Sequence, residues 1–212
     1  MKIGITLYAL VAMLTGCSVP LVAEHSAALD RTVVCCNSFE EIQSQPLAMG
    51  IESRTEISPK SIAFKFIDGK SYFLAYQLPQ AKTAIRKLTI RTFAVNTTPI
   101  TAAHIFIPRI TTLDANMRPL RSVTPMLELH RPRVIGESWW QGEISLTPAE
   151  AHAVIHTGID ERKIILRMPD SDAGAVYAPM PGGGGILIPN SRGYRLIPAG
   201  PTGEVAVLLS EE

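Results

Sequence analysis

The chain lacks an excess of charge of one sign and clusters of basic residues. Its 212 residues carry 20 Lys and Arg against 19 Asp and Glu, a formal net charge of +1. The positive charges are scattered, whereas binding to nucleic acid depends on clustered Lys and Arg that neutralise phosphates. The apolar run at 3–14 is also shorter than the roughly 20 residues of a membrane-spanning helix. We therefore predict no nucleic-acid partner, and no spanning helix at the N-terminus.

Signatures of catalysis are missing as well. Three apolar residues separate His152 from His156 in the sequence. The zinc-protease pattern His-Glu-x-x-His instead has a glutamate general base between its histidines. The glycine run 182–185 is not followed by the Gly-Lys-Ser/Thr of phosphate loops, and it is expected to be a flexible connection or a point of close approach. No serine lies in a Gly-x-Ser-x-Gly elbow. We predict no enzymatic activity and no cofactor.

The N-terminus is the most specific signal present. Lys2 precedes the apolar run, which ends in Leu14-Thr15-Gly16-Cys17, a layout typical of an export signal. It resembles the signals of bacterial lipoproteins, in which a Leu-small-small-Cys box directs acylation of the cysteine. Residues 1–16 are thus predicted to be a signal peptide cleaved between Gly16 and Cys17, with Cys17 lipidated. An ordinary secretory signal and an internal helix are the alternatives.

The predicted anchor determines where the protein is expected to act. By analogy with lipoproteins of two-membrane bacteria, Ser18 rather than Asp after the cysteine predicts an outer-membrane lipoprotein that faces the periplasm. Several acyl chains hold such a protein firmly, since each buried methylene contributes about 0.8 kcal/mol. The membrane is therefore a predicted partner through the N-terminal lipid.

Cys35 and Cys36 are adjacent in the sequence. In an oxidising compartment disulfides persist, but a bond between neighbours closes a strained ring far from ordinary disulfide geometry. We expect two reduced thiols, at least one of them buried as a small apolar group. A vicinal or intermolecular disulfide and a redox site are the alternatives.

Short segments with alternating polarity dominate the rest of the chain. Residues 17–34 lack steady periodicity and are expected to be a tether, and 35–212 are expected to form one domain, divided by many of the sixteen prolines and fifteen glycines. Alternation predicts strands at 61–67, 72–78, 87–93, 103–113, 139–146 and 163–168. Turn residues predict hairpins at 68–70, at 114–116 with a return strand within 122–130, and between 194–198 and 204–209.

Two capping boxes predict short helices. Ser38 with Glu41, and Thr147 with Glu150, have the Ser/Thr-x-x-Glu spacing that marks helix N-termini, and the second helix is expected to reach His156. Many short strands with one or two short helices favour a mainly β fold. We predict an antiparallel β-sandwich of jelly-roll type.

Four stretches carry a family resemblance: YFLAYQLP at 72–79, the strand at 87–90, FIPR through LDANMRP at 106–119, and GEISLTPA at 142–149. They are similar to the maltose operon periplasmic protein (MalM) family. The resemblance implies a β-sandwich, a periplasmic location and an association with maltose and maltodextrin uptake. It implies no catalytic residues.

Two residue pairs are candidate sites. Trp139 and Trp140 could stack on sugar rings, although neighbours on a strand point to opposite faces, so core packing of one and exposure of the other is favoured. His152 and His156 are weak metal-ligand candidates, and ordinary surface histidines are favoured instead.

The predicted function is a non-catalytic envelope protein, accessory to maltose or maltodextrin transport or binding a saccharide or an envelope protein. The alternatives are a structural subunit of an envelope assembly, through a sheet edge or the glycine run, and a glycan hydrolase. The hydrolase would need two carboxylates at defined separations.

Overall fold

A computed structural model describes residues 21–80, 85–95, 103–131, 137–169, 175–179, 185–189 and 194–211. The predicted signal peptide, Cys17 and glycines 182–184 lie outside these ranges. Among the described residues, no helix has both the length and the apolar character needed to cross a membrane.

The described residues contain one α-helix and fifteen strands. The helix α1 is Leu21–Arg31. The strands are β1 Gln45–Pro46, β2 Ser53–Ile57, β3 Ala63–Phe66, β4 Gly69–Gln77, β5 Arg86–Phe93, β6 Arg109–Leu113, β7 Pro119–Val123, β8 Glu128–His130, β9 Trp139–Leu146, β10 His152–His156, β11 Ile165–Pro169, β12 Ala175–Pro179, β13 Gly185–Pro189, β14 Tyr194–Pro198 and β15 Gly203–Glu211. Short 3₁₀ turns occupy Phe39–Glu41 and Glu161–Lys163.

Two sheets form a β-sandwich, as predicted. The six-stranded sheet has the order β1-β4-β10-β6-β7, with β3 paired to β4, and the five-stranded sheet has the order β2-β15-β5-β9-β8. All of these pairs are antiparallel except β1 with β4. The pairs β11-β14 and β12-β13 form two further small sheets.

The main core lies between the two large sheets. Alternate residues of each strand point inward, so Tyr72 and Tyr76 from β4 pack in one buried cluster with Leu88 from β5 and Val207 from β15. Leu29 of α1 belongs to this cluster and is fully buried. The helix is therefore part of the domain, and the expectation of a tether over 17–34 is wrong from Leu21 onward.

A second apolar cluster covers the outer face of the six-stranded sheet. Phe64, Phe66 and Phe73 form it with Val154. Residues 34–42, which we call the strap, lie over this cluster, because Cys36 and Phe39 pack against it and Ile42 is buried within it. The predicted helix at Ser38 is only a 3₁₀ turn, and the Ser38 side chain makes no capping hydrogen bond.

The predicted hairpins have different outcomes. β3 and β4 pair around Asp68-Gly69, so this hairpin is confirmed. β6 also turns back beyond Asp114, but its partner β7 is Pro119–Val123 rather than a strand within 122–130, and Glu128–His130 pairs with β9 in the other sheet. The predicted closing hairpin is wrong. β14 pairs with β11, and β15 pairs with β2 and β5.

The predicted helix up to His156 is also wrong, because β10 occupies its C-terminal half. The Thr147–Glu150 signals form a turn instead, in which the Thr147 N–H donates to the Glu150 carboxylate and the Glu150 N–H donates to the Thr147 carbonyl. β10 then lies centrally between β4 and β6. A strand buried on both faces reads as a continuous apolar run, which is what residues 153–155 provide.

Candidate functional site

The two tryptophans lie on opposite faces of β9. Trp140 is buried and packs with Ile105 and Ile197. Trp139 is half-buried on the outer face of the five-stranded sheet, where the His130 ring is parallel to it with 5.6 Å between centroids, and the Arg91 guanidinium lies 5.4 Å from its centroid. Side chains from both flanking strands therefore already contact Trp139.

The two histidines both lie on the outer face of β10, but in different surroundings. His156 is 1% exposed, so the expectation of a surface histidine is wrong for it. His152 is half-buried. Among the described residues, no group of three or more His, Cys, Asp or Glu side chains is placed to hold a metal ion.

His156 lies in the wall of a cavity of about 400 Å³ on the outer face of the six-stranded sheet, which we call the aromatic groove. Its wall combines the strap, the tip of the β3–β4 hairpin and the edge strand β7. The lining residues are Phe39, Phe66, Ile67, Asp68, Thr111, Pro119, Leu120, Arg121, Ser122 and His156. The volume is at the lower end of the range of about 300–1,000 Å³ typical of small-ligand pockets.

Aromatic rings form much of the groove wall. The Phe66 and His156 rings are parallel within 3°, with 3.7 Å between their centroids. Phe39 is tilted against Phe66, with 6.1 Å between centroids. Such contacts hold each ring in a fixed orientation. Ile67 and Leu120 add apolar surface, and both are exposed.

His156 also anchors a chain of hydroxyl groups that reaches the surface. Its Nε2 is hydrogen-bonded to the Thr111 hydroxyl at 2.9 Å, and that hydroxyl is 3.0 Å from the exposed Ser122 hydroxyl. Nδ1 of His156 is buried and has no hydrogen-bond partner in the part of the chain that the structure describes. Burial, and next the nearby Arg109 charge, lower the pKa of His156 to about 3. The ring is therefore neutral at physiological pH.

A charged cluster lies beside the Asp68 end of the groove. Arg109 bridges two carboxylates, with Nη1 3.0 Å from Asp68 Oδ2 and Nη2 2.6 Å from Glu161 Oε1. The Thr124 hydroxyl also donates to Glu161. A Cβ on Gly158 would overlap both carboxylates, so any other residue at this position would displace them.

The two carboxylates of this cluster differ in what they can still bind. Burial alone would raise the pKa of Glu161, but hydrogen bonds from Thr124 and Arg109 lower it below its ordinary value. Glu161 is 5% exposed and does not line the groove. Asp68 does line it. Oδ2 of Asp68 is in the ion pair with Arg109, and no described residue donates a hydrogen bond to Oδ1. Oδ1 of Asp68 is thus a buried acceptor that the described residues leave unsatisfied.

A second cavity, of about 450 Å³, lies where α1 meets the five-stranded sheet. The Thr202 hydroxyl is hydrogen-bonded to His25 of α1 at 2.6 Å and to His104 at 2.9 Å. The carboxylates of Glu137 and Glu204 in its wall are paired with Arg54. These contacts connect the helix to the sandwich.

The adjacent cysteines are bonded to each other. The structure joins Cys35 and Cys36 in a vicinal disulfide, so the expectation of two reduced thiols is wrong. The bond lies in the strap, three residues before Phe39 on the Cys36 side, and Cys36 packs against the same cluster as Phe39. The disulfide is therefore next to the groove wall.

Comparisons with models of protein families, with curated proteins and with solved structures found no match for the chain. The similarity to the MalM family therefore stays a prediction. What the protein binds has to be argued from the chemistry of the groove.

Proposed function

We propose that the protein is a non-catalytic, lipid-anchored protein of the bacterial envelope that binds a saccharide in the aromatic groove. One observation carries the proposal. Among the described residues, Asp68 Oδ1 and His156 Nδ1 are buried polar atoms without hydrogen-bond partners, and both residues line a cavity with aromatic walls. Buried polar atoms in native proteins are nearly always paired, so unpaired ones in a cavity wall point to a ligand.

A sugar ring matches both the aromatic and the polar residues of this wall. The C–H groups on one face of a pyranose are apolar and pack against aromatic rings such as Phe39 and Phe66. Its hydroxyls donate hydrogen bonds, which Asp68 can accept, and a hydrogen bond to a charged group is stronger than one between neutral groups. The resemblance to a family associated with maltose uptake supports the same ligand class.

The chemistry of the carboxylates favours binding over hydrolysis. A glycosidase needs a general acid whose pKa is raised so that it is protonated at neutral pH. Glu161, the carboxylate beside Asp68, has a lowered pKa because Thr124 and Arg109 stabilise its charge. It is also held in an ion pair outside the groove wall. We therefore propose no glycan hydrolase activity.

Saccharide binding is tested by calorimetry of the full-length protein in detergent with maltose and maltotriose. Asp68→Asn should weaken binding about tenfold or more, because hydrogen bonds to charged groups contribute roughly 1.5–3 kcal/mol. Asp160→Asn is the matched control, since Asp160 is 84% exposed and paired only with Lys163 among the described residues. It should bind like the wild type.

Two results would count against this site. Failure of both sugars to bind at millimolar concentration would overturn the saccharide proposal. Loss of binding in Trp139→Ala, with unchanged binding in Asp68→Asn, would show that the sugar binds on the five-stranded sheet and not in the aromatic groove.

The lipid anchor is tested separately by Cys17→Ser. The wild-type protein should incorporate labelled palmitate and sediment with membranes, because several acyl chains give stable anchoring. The variant should carry no label and lose its association with the membrane. Identical labelling and fractionation of the two proteins would contradict the anchor.

A second candidate function, as a subunit of an envelope assembly, is favoured by the edge of the six-stranded sheet. β7 pairs only with β6 among the described strands. Four of its five residues are exposed, and the fifth is half-buried. An open edge of this kind can accept a strand from another chain.

A further inference from the structure

The strap is attached to the sheet on both sides of the vicinal disulfide. Val34 forms a parallel bridge with Ala63, and the Cys35 N–H donates to the Ala63 carbonyl at 2.8 Å. Beyond the disulfide, Ile42 is buried in the cluster on the outer face of the sheet, and within the strap the Asn37 N–H donates to the Glu41 carboxylate at 2.9 Å. The intervening segment carries Phe39 into the groove wall.

From this arrangement we propose that Cys35–Cys36 is a thiol–disulfide exchange site, and that its redox state sets the position of Phe39 in the aromatic groove. The consequence for ligand affinity rests on the proposed function. The exchange and the movement of Phe39 do not.

The covalent structure of the strap explains the coupling. A disulfide between neighbours closes a ring that contains the Cys35–Cys36 peptide, so it restricts the backbone torsions of both residues. Only Asn37 and Ser38 separate this ring from Phe39. Cys36 also packs against the cluster that contains Phe66. Reduction opens the ring and frees these torsions. The backbone that holds Phe39 in the groove wall is then less constrained.

The disulfide is accessible to a reductant. Cys35 is exposed, whereas Cys36 is half-buried. A thiolate is the attacking species in disulfide exchange. Cys35 is the more exposed of the two residues, so we assign its Sγ as the sulfur that is attacked. The partner class is therefore a dithiol, either a small molecule or a protein with two cysteines in its active site.

The exchange balances as a two-electron reduction. A thiolate of the dithiol attacks Cys35 Sγ, the Cys35–Cys36 bond breaks, and Cys36 leaves as a thiolate that takes up a proton. The second thiol of the dithiol, once deprotonated, then attacks the other sulfur of the same dithiol, which is bonded to Cys35 in the mixed disulfide. Cys35 leaves as a thiolate and also takes up a proton. The protein gains two thiols, and the dithiol becomes a disulfide.

The test follows the cysteines and the groove without relying on a sugar. Full-length protein in detergent is treated with dithiothreitol, alkylated and mapped by mass spectrometry, so that Cys17 is scored separately. Parallel NMR spectra follow the ring resonances of Phe39, Phe66 and His156, with Trp139 on the opposite sheet as an internal reference. The variant Cys35→Ser/Cys36→Ser is the matched control.

The expected result is that Cys35 and Cys36 are alkylated only after reduction, and that the groove resonances shift while those of Trp139 do not. The double variant should give the reduced spectrum with or without dithiothreitol. Where a sugar binds, reduction should weaken it by up to about tenfold, from the loss of one aromatic contact.

Two results would overturn the proposal. Alkylation of both cysteines without any reductant would show that the disulfide does not form. Full reduction with unchanged Phe39 and Phe66 resonances would show that the disulfide does not control the groove. A shift of these resonances in a protein that binds no sugar would leave the exchange site standing and remove only the saccharide.

Discussion

Replacing Glu150 with alanine is expected to lower the free energy of unfolding by about 3 kcal/mol. The Glu150 carboxylate is 2% exposed. It accepts hydrogen bonds from the Thr112 hydroxyl at 2.8 Å, from Arg121 Nε at 2.7 Å and from the Thr147 N–H at 2.5 Å. Alanine leaves the fully buried Thr112 hydroxyl without its acceptor, whereas Arg121, 41% exposed, regains water. Urea unfolding at pH 7 measures the loss.

The matched control is Glu143→Ala. Glu143 is 41% exposed and pairs with Lys87 at 3.2 Å, and exposed ion pairs contribute at most about 1 kcal/mol. If Glu150→Ala costs no more than Glu143→Ala, the buried cluster does not stabilise the fold as we infer.

The cost of Glu150→Ala should also depend on pH. Burial alone would raise the pKa of Glu150, but hydrogen bonds from Arg121, Thr112 and Thr147 lower it below its ordinary value. A carboxylate with a lowered pKa contributes stability above its unfolded-state pKa and loses it as the pH falls through the folded-state value. The difference between wild type and variant should therefore shrink in acid.

Local sequence signals predicted those parts of the fold that local contacts determine. Asp68-Gly69 predicts the β3–β4 hairpin correctly, since Gly69 adopts a φ of 119° that a side chain disfavours. The Thr147–Glu150 capping pattern is satisfied equally well by a turn, and it predicted a helix where long-range pairing produces β10. Pairing partners of β14 and β15 are distant in sequence, so adjacency alone predicted the wrong hairpin.

The groove could not be predicted for a related reason. Phe39, Phe66 and His156 come from the strap, β3 and β10, and only the sheet order brings them together. Each residue taken alone has an ordinary structural interpretation, such as a helix face, a strand or a surface histidine. The sequence does contain one signal for this arrangement, the apolar run 153–155 between the histidines. This run predicts a central strand, and a strand places both histidines on one face.

The second large expected effect is an acid destabilisation caused by His156. Its pKa is about 3 in the folded protein, because burial and then Arg109 disfavour the charged ring, against about 6.5 in an unfolded chain. Between these values the unfolded state binds a proton that the folded state does not, so the free energy of unfolding falls as the pH falls below about 6.5. Each pH unit costs about 1.4 kcal/mol. Because the slope reaches this value only well below pH 6.5, the loss from pH 6.5 to 4.5 is about 2 kcal/mol.

His156→Gln isolates this contribution, because glutamine has an amide in place of the imidazole and does not titrate. The variant is expected to be less stable at pH 7, where it loses the stack on Phe66, but the gap should close as the pH is lowered. Urea unfolding of both proteins at several pH values gives the two slopes, and NMR of the His156 ring should show no protonation above about pH 4. Equal slopes for the two proteins would mean that folding does not lower the pKa of His156, and would contradict this prediction. A ring that stays neutral throughout this range keeps Nδ1 in one protonation state, so saccharide binding should not depend on His156 titration above pH 4.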